Sequence, residues 1–390
     1  MNLQQKVENE FRRRFGREPQ ITVRAPGRVN LLGAHVDYNE GWVLPAATEQ
    51  AVWLAAAPAE DDVITIKAID FDGEEASFRL SEIQPRQKDQ PVSWLDYPRG
   101  VAWVLRDSGC SIRPIQAVFA GDVPIGAGVS SSAAVEVAFL TGWNELGELG
   151  LSTLQLAKLG QQTENRYIGL ASGIMDQFAS SHGAENKLVL LDCRTLEYEL
   201  VPLPSQSTIL VADSGVRREL ANSEYNVRRS QCDEAVELLK SHLPSIRTLR
   251  DVSLEAFELN AHHLPIVLRR RAQHVIEECN RVLRGAELLK QGNVTAFGRL
   301  IRQSHISARD LYEVSIPELD LLAATAWQIE GCCGARLTGA GFGGCVVVLT
   351  EAWAADRVAD SLRDAYQATY SREPRIFSTR AADGARVIAA

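Results

Sequence analysis

Hydrophobic and polar residues alternate through Val63-Ile64-Thr65-Ile66-Lys67-Ala68, the period of a strand with one buried face. Short apolar runs predict further strands at 115–119, 188–191, 208–212 and 345–349. Elsewhere the period lengthens to that of a helix, over residues 151–168, 224–241 and 265–290. The first of these opens with Ser152 and, three places on, Gln155, a spacing that lets the two side chains cap free backbone N–H groups. Another helical pattern, with Val135, Ala138 and Phe139 on one face, starts straight after Gly126-Ala127-Gly128-Val129-Ser130-Ser131-Ser132-Ala133-Ala134. Strands and long helices mixed within each half predict an α+β fold.

A chain of 390 residues exceeds one ordinary core, so two domains are expected. The proline-marked run Val201-Pro202-Leu203-Pro204 places the junction, giving 1–202 and 203–390. A net charge of −9 with dispersed arginines argues against a nucleic-acid partner. No apolar run is long enough to span a bilayer, and Met1-Asn2-Leu3-Gln4-Gln5 lacks the apolar core of a signal peptide. The 7 cysteines are odd in number, hold no C-x-x-C pair and include the adjacent Cys332-Cys333. That pattern suits neither a disulfide framework nor a zinc site, and points to a reducing cytoplasm.

Four stretches carry candidate chemistry. The glycine–serine run at 126–134 has the small residues that bring backbone N–H groups close to an anion. The helix that follows adds partial positive charge, and the hydroxyls add donors. It is no P-loop, since no Gly-Lys-Ser/Thr ends it, and a serine-capped helix start is the plainer alternative. Residues 24–39 pack Arg28, His35 and Asp37 into a loop-like run, read either as a turn-rich surface connection or as a site for a polyhydroxylated ligand. In Gly173-Ile174-Met175-Asp176-Gln177-Phe178 one carboxylate stands among apolar neighbours and needs a partner, which makes Asp176 a structural ion-pair member or a base. Glu164 reads by itself as a solvated helix charge. The glycine run 339–344 reads as a tight strand entry or as backbone packed on a nucleotide or on the first glycine loop.

Taken in order, these stretches resemble the galactokinase family of the GHMP kinase superfamily. Gly27-Arg28-Val29-Asn30-Leu31-Leu32-Gly33-Ala34-His35-Val36-Asp37-Tyr38-Asn39 is similar to the family signature G-R-V-N-L-I-G-E-H-T-D-Y-N. Residues 124–134 resemble its phosphate loop, 173–178 its G-I-M-D-Q-F motif and 336–345 its third, glycine-rich motif. The resemblance implies an N-terminal domain like the second domain of ribosomal protein S5, a ferredoxin-like C-terminal domain and an active site between them. It implies ATP as co-substrate, Mg²⁺, a small-molecule sugar partner and a monomer or weak dimer. By the same resemblance Asp176 is the base that takes the proton of the anomeric hydroxyl, and Arg28 stands beside it. The backbone of Gly126, Ala127, Gly128, Val129, Ser130, Ser131 and Ser132 would hold the triphosphate, and Ser132 and Glu164 the magnesium. His35, Asp37 and Tyr225 would contact the sugar, with Gly173 close by.

One departure stands in the signature: Ala34 replaces the family glutamate expected near the C6 hydroxyl of galactose. A charged hydrogen bond there is worth about 1.5–3 kcal/mol. The expected reaction is phosphorylation of galactose at C1. Ala34 makes D-galacturonate the alternative substrate, and a non-catalytic sugar and ATP sensor is the third reading.

Overall fold

The computed structural model describes residues 1–87, 90–217 and 221–388, with backbone alone at 221–223. Twelve strands form two sheets among these residues. The first contains β1 (Ile21–Leu32), β2 (Trp42–Pro58), β3 (Val63–Ala68), β4 (Glu74–Arg79), β5 (Ile115–Gly121), β6 (Lys187–Asp192), β7 (Tyr198–Pro202) and β12 (Arg386–Ile388), and the second β8 (Ser207–Asp213), β9 (Cys332–Thr338), β10 (Cys345–Glu351) and β11 (Arg375–Thr379). The order β12-β1-β2-β5-β3-β4 makes the body of the first sheet, with β6 and β7 branching from β2. Only β3 and β5 run parallel; the second sheet, β11-β8-β10-β9, is antiparallel throughout.

The strands expected from alternation and apolar runs all form, as β3, β5, β6, β8 and β10. The reading of residues 24–39 as loop-like does not hold: up to Leu32 the run is β1, buried along nearly its whole length. A strand covered on both faces has no need to alternate, so Arg28 and Asn30 sit in the interior and hide its period. The pairing with β2 slips between Pro26 and Arg28 and between Asn30 and Leu32. These irregularities accommodate the proline and turn Arg28 out of simple register.

Helix Ser131–Leu146 packs across β1 and β2, which fixes the glycine–serine loop at the sheet's end. The helix expected over 151–168 is α-helical at Thr153–Gln162, with Ser152 and Gln155 forming the capping box, and π-helical at Thr163–Ile168. A π-turn widens the backbone and shifts its side chains; Glu164 lies within it and is buried. Alternate residues of the second sheet face different cores. Ile209 and Val211 join the core of the first sheet, while Leu210 and Ala212 join a core built with helices Ala221–Lys240 and Ile266–Lys290. The second sheet thereby shares an apolar face with the first, and β12 returns to pair with β1 at Thr22–Arg24. No helix among the described residues is long and apolar enough to cross a membrane.

Candidate active site

The two sheets meet over a cavity of about 360 Å³. Arg28 enters its floor from β1, only 3% exposed. A guanidinium so buried needs acceptors, and it finds three. Its Nε donates to Asp176 Oδ1 at 2.9 Å, its Nη2 to Asp176 Oδ2 at 2.9 Å, and its Nη1 to the Gly128 carbonyl at 2.7 Å. Asp176 occupies the first turn of helix Met175–His182, where backbone N–H groups favour negative charge. Of the two readings the sequence left for this carboxylate, the arginine pair is real, and it faces the cavity.

The glycine–serine loop wraps the other side. Gly126 and Gly128 take φ of 66° and 78°, and Ser130 takes 61°, a region that side chains rarely enter. A Cβ on Gly128 would lie 2.9 Å from the Thr338 carbonyl, and one on Gly339 would lie 2.6 Å from the Gly128 carbonyl. The second glycine run therefore packs backbone to backbone on the first. Gly126, Gly128, Ser130, Ser131 and Ser132 line the cavity, whereas Ala127 and Val129 are buried behind it. Val129 contributes through its carbonyl, which accepts from the Arg28 N–H at 3.0 Å.

Glu164, read from sequence by itself as a solvated charge, is 5% exposed. Its Oε1 accepts from the Ser132 hydroxyl at 3.2 Å and its Oε2 from the Ser172 hydroxyl at 2.5 Å. Burial pushes its carboxyl up, and the Asp176 charge adds to this. Behind it lies Glu136, fully buried and pushed up by burial and by Glu164, with the Gln177 amide donating to it at 2.9 Å.

Asp37, His35, Tyr225 and Gly173 line the opposite wall. Burial raises Asp37 to about 6, with the Asp176 charge contributing. A Cβ on Gly173 would fall 2.1 Å from Asp37 Oδ2, so this contact admits only glycine. Burial lowers His35 to about 3, leaving a neutral ring. Both of its nitrogens are engaged: Nε2 lies 3.0 Å from the Ala340 carbonyl, to which it donates, and Nδ1 accepts from the Tyr38 hydroxyl at 2.9 Å. It therefore presents a ring face, packed 5.4 Å from the ring of Tyr225.

Ala34 is 2% exposed and does not line the cavity. Its N–H donates to Glu278 Oε1 at 3.1 Å and its carbonyl accepts from His274 Nε2 at 3.1 Å. The structure also shows residues that sequence reasoning passed over. Ser172 orients Glu164. Arg217 lines the cavity beside Gly126, with its Nη1 2.8 Å from Asp213 Oδ1. Its signal was a basic residue directly after Asp213-Ser214-Gly215-Val216, a run with no period of its own.

A carboxylate paired with a guanidinium, two helix N-termini and a small-residue backbone cradle suit phosphoryl transfer, which needs positioning and charge neutralisation above all. Together with this fold they define a kinase of the GHMP class. Models of the GHMP kinases N terminal domain and of the GHMP kinases C terminal match residues 96–184 and 286–368. A mevalonate kinase structure, 17% identical, superposes with a TM-score of 0.62 and covers 93% of this chain and 99% of its own, a likeness of fold alone. The galactokinase galactose-binding signature matches residues 9–58. A galactokinase of Roseiflexus sp. (strain RS-1) is 43% identical over 97% of this chain and 95% of its own length. That of Streptococcus mutans is 40% identical over 98% of each. The structure of Lactococcus lactis galactokinase complexed with galactose is 33% identical, covers 97% of this chain and 98% of its own, and superposes with a TM-score of 0.92. The chain belongs to the galactokinase family.

Proposed function

We propose that the protein transfers the γ-phosphoryl group of ATP to the C1 hydroxyl of galactose. The observation that carries this is the Arg28–Asp176 pair, set between the glycine–serine cradle and the wall of Asp37, Gly173 and Tyr225. Asp176 takes the hydroxyl proton as the oxygen attacks the γ-phosphorus, whose bond to the β,γ-bridging oxygen breaks to release ADP and leave galactose 1-phosphate. Arg28 holds the carboxylate and offsets charge on the transferring group. Backbone N–H groups at Gly126, Gly128 and Ser131–Ser132 bind phosphate oxygens with the help of the helix N-terminus. Arg217 adds positive charge on that side. Asp37 accepts from sugar hydroxyls, and Tyr225 and the His35 face pack on the ring.

Ser132 and Glu164 offer two hard oxygen ligands to Mg²⁺, and the buried, upward-shifted Glu164 is a carboxylate that a cation would relieve. Among the described residues no three His, Cys, Asp or Glu side chains form a metal site. That fits an ion which takes its remaining ligands from phosphates and water. When bound, it would neutralise charge on the β- and γ-phosphates.

The galacturonate alternative is not favoured. Relatives 40% and 43% identical over nearly the whole chain are galactokinases, and Ala34 lies outside the cavity. Among the described residues, both arginines that line the cavity, Arg28 and Arg217, already pair with carboxylates, Asp176 and Asp213. A sensor has no need of Arg28, Asp176, Ser132 and Glu164 together. The same reading divides the chain at 202/203, with β12 as a returning strand, and places the enzyme in the cytoplasm as a monomer or weak dimer. The free state of Cys110, Cys193, Cys232, Cys279, Cys332, Cys333 and Cys345 supports a reducing compartment.

ATP consumption measured with D-galactose and D-galacturonate side by side tests this reading. The expected kcat/KM for galactose exceeds that for galacturonate by about tenfold or more, the loss that follows from leaving a charge unpaired in the site. A preference for galacturonate overturns it.

A further inference from the structure

We infer that the Ser130 hydroxyl is a positioning group for the base Asp176, and no phosphate ligand; this rests on the function proposed above. Ser130 stands at the N-cap of helix Ser131–Leu146, where a serine hydroxyl ordinarily accepts from a backbone N–H of the first turn. It makes no such bond. Its backbone is instead left-handed, at φ 61° and ψ 48°, a conformation that costs a non-glycine residue free energy and persists only where its surroundings impose it. The twist points the hydroxyl across the cavity floor, where it donates to Asp176 Oδ2.

Counting protons settles what that hydroxyl can do. A serine hydroxyl has one hydrogen to donate. Ser130 gives it to Asp176 and Ser132 gives its own to Glu164. Oxygen lone pairs turned toward a phosphate would repel it. Of the three consecutive serines, only Ser131 lines the cavity with no protein acceptor for its hydroxyl among the described residues, so it alone has a side-chain donor for phosphate. Asp176 is thus held from two sides. The Arg28 fork comes from β1, and Ser130 from the tip of the phosphate loop. The same loop carbonyl region holds the arginine, through Gly128. The loop that cradles the triphosphate therefore also fixes the plane of the carboxylate that must meet the sugar hydroxyl, tying the orientation of the base to the seating of the nucleotide.

The experiment compares Ser130→Ala and Ser130→Gly with the wild type, by steady-state kinetics and by calorimetric ATP affinity. Ser130→Ala removes the hydroxyl and keeps the strained Cβ; Ser130→Gly removes both and relaxes the backbone. Loss of one charge-assisted hydrogen bond predicts a fall in kcat of about tenfold to a hundredfold in both variants. KM for galactose and the dissociation constant for ATP stay within about twofold. A rise in the ATP dissociation constant with kcat retained would make Ser130 a phosphate ligand and overturn the inference. So would Ser130→Gly turning over at the wild-type rate, since the hydroxyl would then be dispensable. Wild-type turnover of galactose is the control: its absence removes the proposed reaction and leaves the ATP-affinity comparison to decide Ser130.

Discussion

Two buried groups of charged residues stand close together in this molecule, and they are built on opposite principles. One is the cavity, lined by Asp176, Asp37 and Glu164, where Arg28 pairs with Asp176 alone. The other lies under the Gly33–Ala34 turn, where Glu278 from helix Ile266–Lys290 is fully buried. Glu278 accepts from the N–H groups of Gly33 and Ala34 at 2.9 and 3.1 Å, from the Ser304 hydroxyl, and from Arg281 and Arg336. Burial pushes Glu278 up, but the charges of Arg281 and Arg336 more than offset it and hold its carboxyl well below the usual range. In the cavity the balance runs the other way, and burial raises both Asp37 and Glu164. A closed cluster has its charge satisfied by the fold. An open one is short of positive charge, and a nucleotide's cation and a sugar's hydroxyl donors can supply it.

The sharpest way to break the comparison is to remove one carboxylate from each. Asp176→Asn is expected to lower kcat by about a hundredfold to ten-thousandfold, the worth of a general base, with galactose binding retained in calorimetry and folding intact. Glu278→Ala leaves the fully buried Arg336 without its ion partner. It is expected to cost about 3–5 kcal/mol of stability, read by denaturant unfolding. Near-wild-type turnover in the first variant, or near-wild-type stability in the second, would exchange the roles given to the two clusters.

Asp37 gives a subtler test. Its carboxyl is raised from 3.8 to about 6, so it takes up a proton as pH falls through about 6 and would then no longer serve the proposed role of accepting from sugar hydroxyls. Below that pH, kcat/KM for galactose should fall by about tenfold per unit, and Asp37→Asn should remove this limb while lowering kcat/KM at every pH. Stability moves with the opposite sign. A raised carboxyl favours the fold at pH below its ordinary value, and that contribution is lost as pH rises through about 6. Above pH 6, Asp37→Asn should therefore stabilise the ligand-free protein, whereas Glu278→Gln should destabilise it. An activity profile flat down to pH 5 would remove Asp37 from sugar recognition.

The sequence revealed more of the chemistry than of the architecture that holds it. Alternation located β3, and apolar runs located β5, β6, β8 and β10, because period and burial agree in those strands. Residues 24–32 read as loop because a strand covered on both faces, broken by Pro26 and Gly27 and carrying Arg28 inward, has no period to show. Asp176, Arg28 and the glycine–serine loop were legible as motifs. Their mutual distances were not, since Arg28 and Asp176 are 148 residues apart in the chain. Glu164 by itself reads as a solvated charge because a lone carboxylate on a helix is ordinarily exposed; it falls one turn after Gly160, on the face that Leu156, Ala157 and Gly160 already bury. Glu278 carried no signal, since a lone glutamate in a charged helix gives no hint that two arginines close around it.

Ala34 lies where the two clusters meet and carries the smallest predicted effect. Its position in the signature suggested a switch between galactose and a C6-carboxylate sugar. Its backbone, however, belongs to the closed cluster, through Glu278 and His274, and its methyl group does not line the cavity. Ala34→Gly deletes that methyl and frees the backbone of the unfolded chain. The expected outcome is a loss of about 1–2 kcal/mol of stability, from one buried methyl group and the added chain entropy. The ratio of kcat/KM for galactose to that for galacturonate should stay within about twofold. The two readouts separate the possible origins of any change. A shift in stability alone keeps Ala34 in the framework under the wall of Asp37, Gly173 and Tyr225. A tenfold shift in the ratio at unchanged stability would mean that the methyl faces the sugar once substrates are bound. The Gly33–Ala34 turn would then belong to the open cluster, and the boundary between the two would have to be moved.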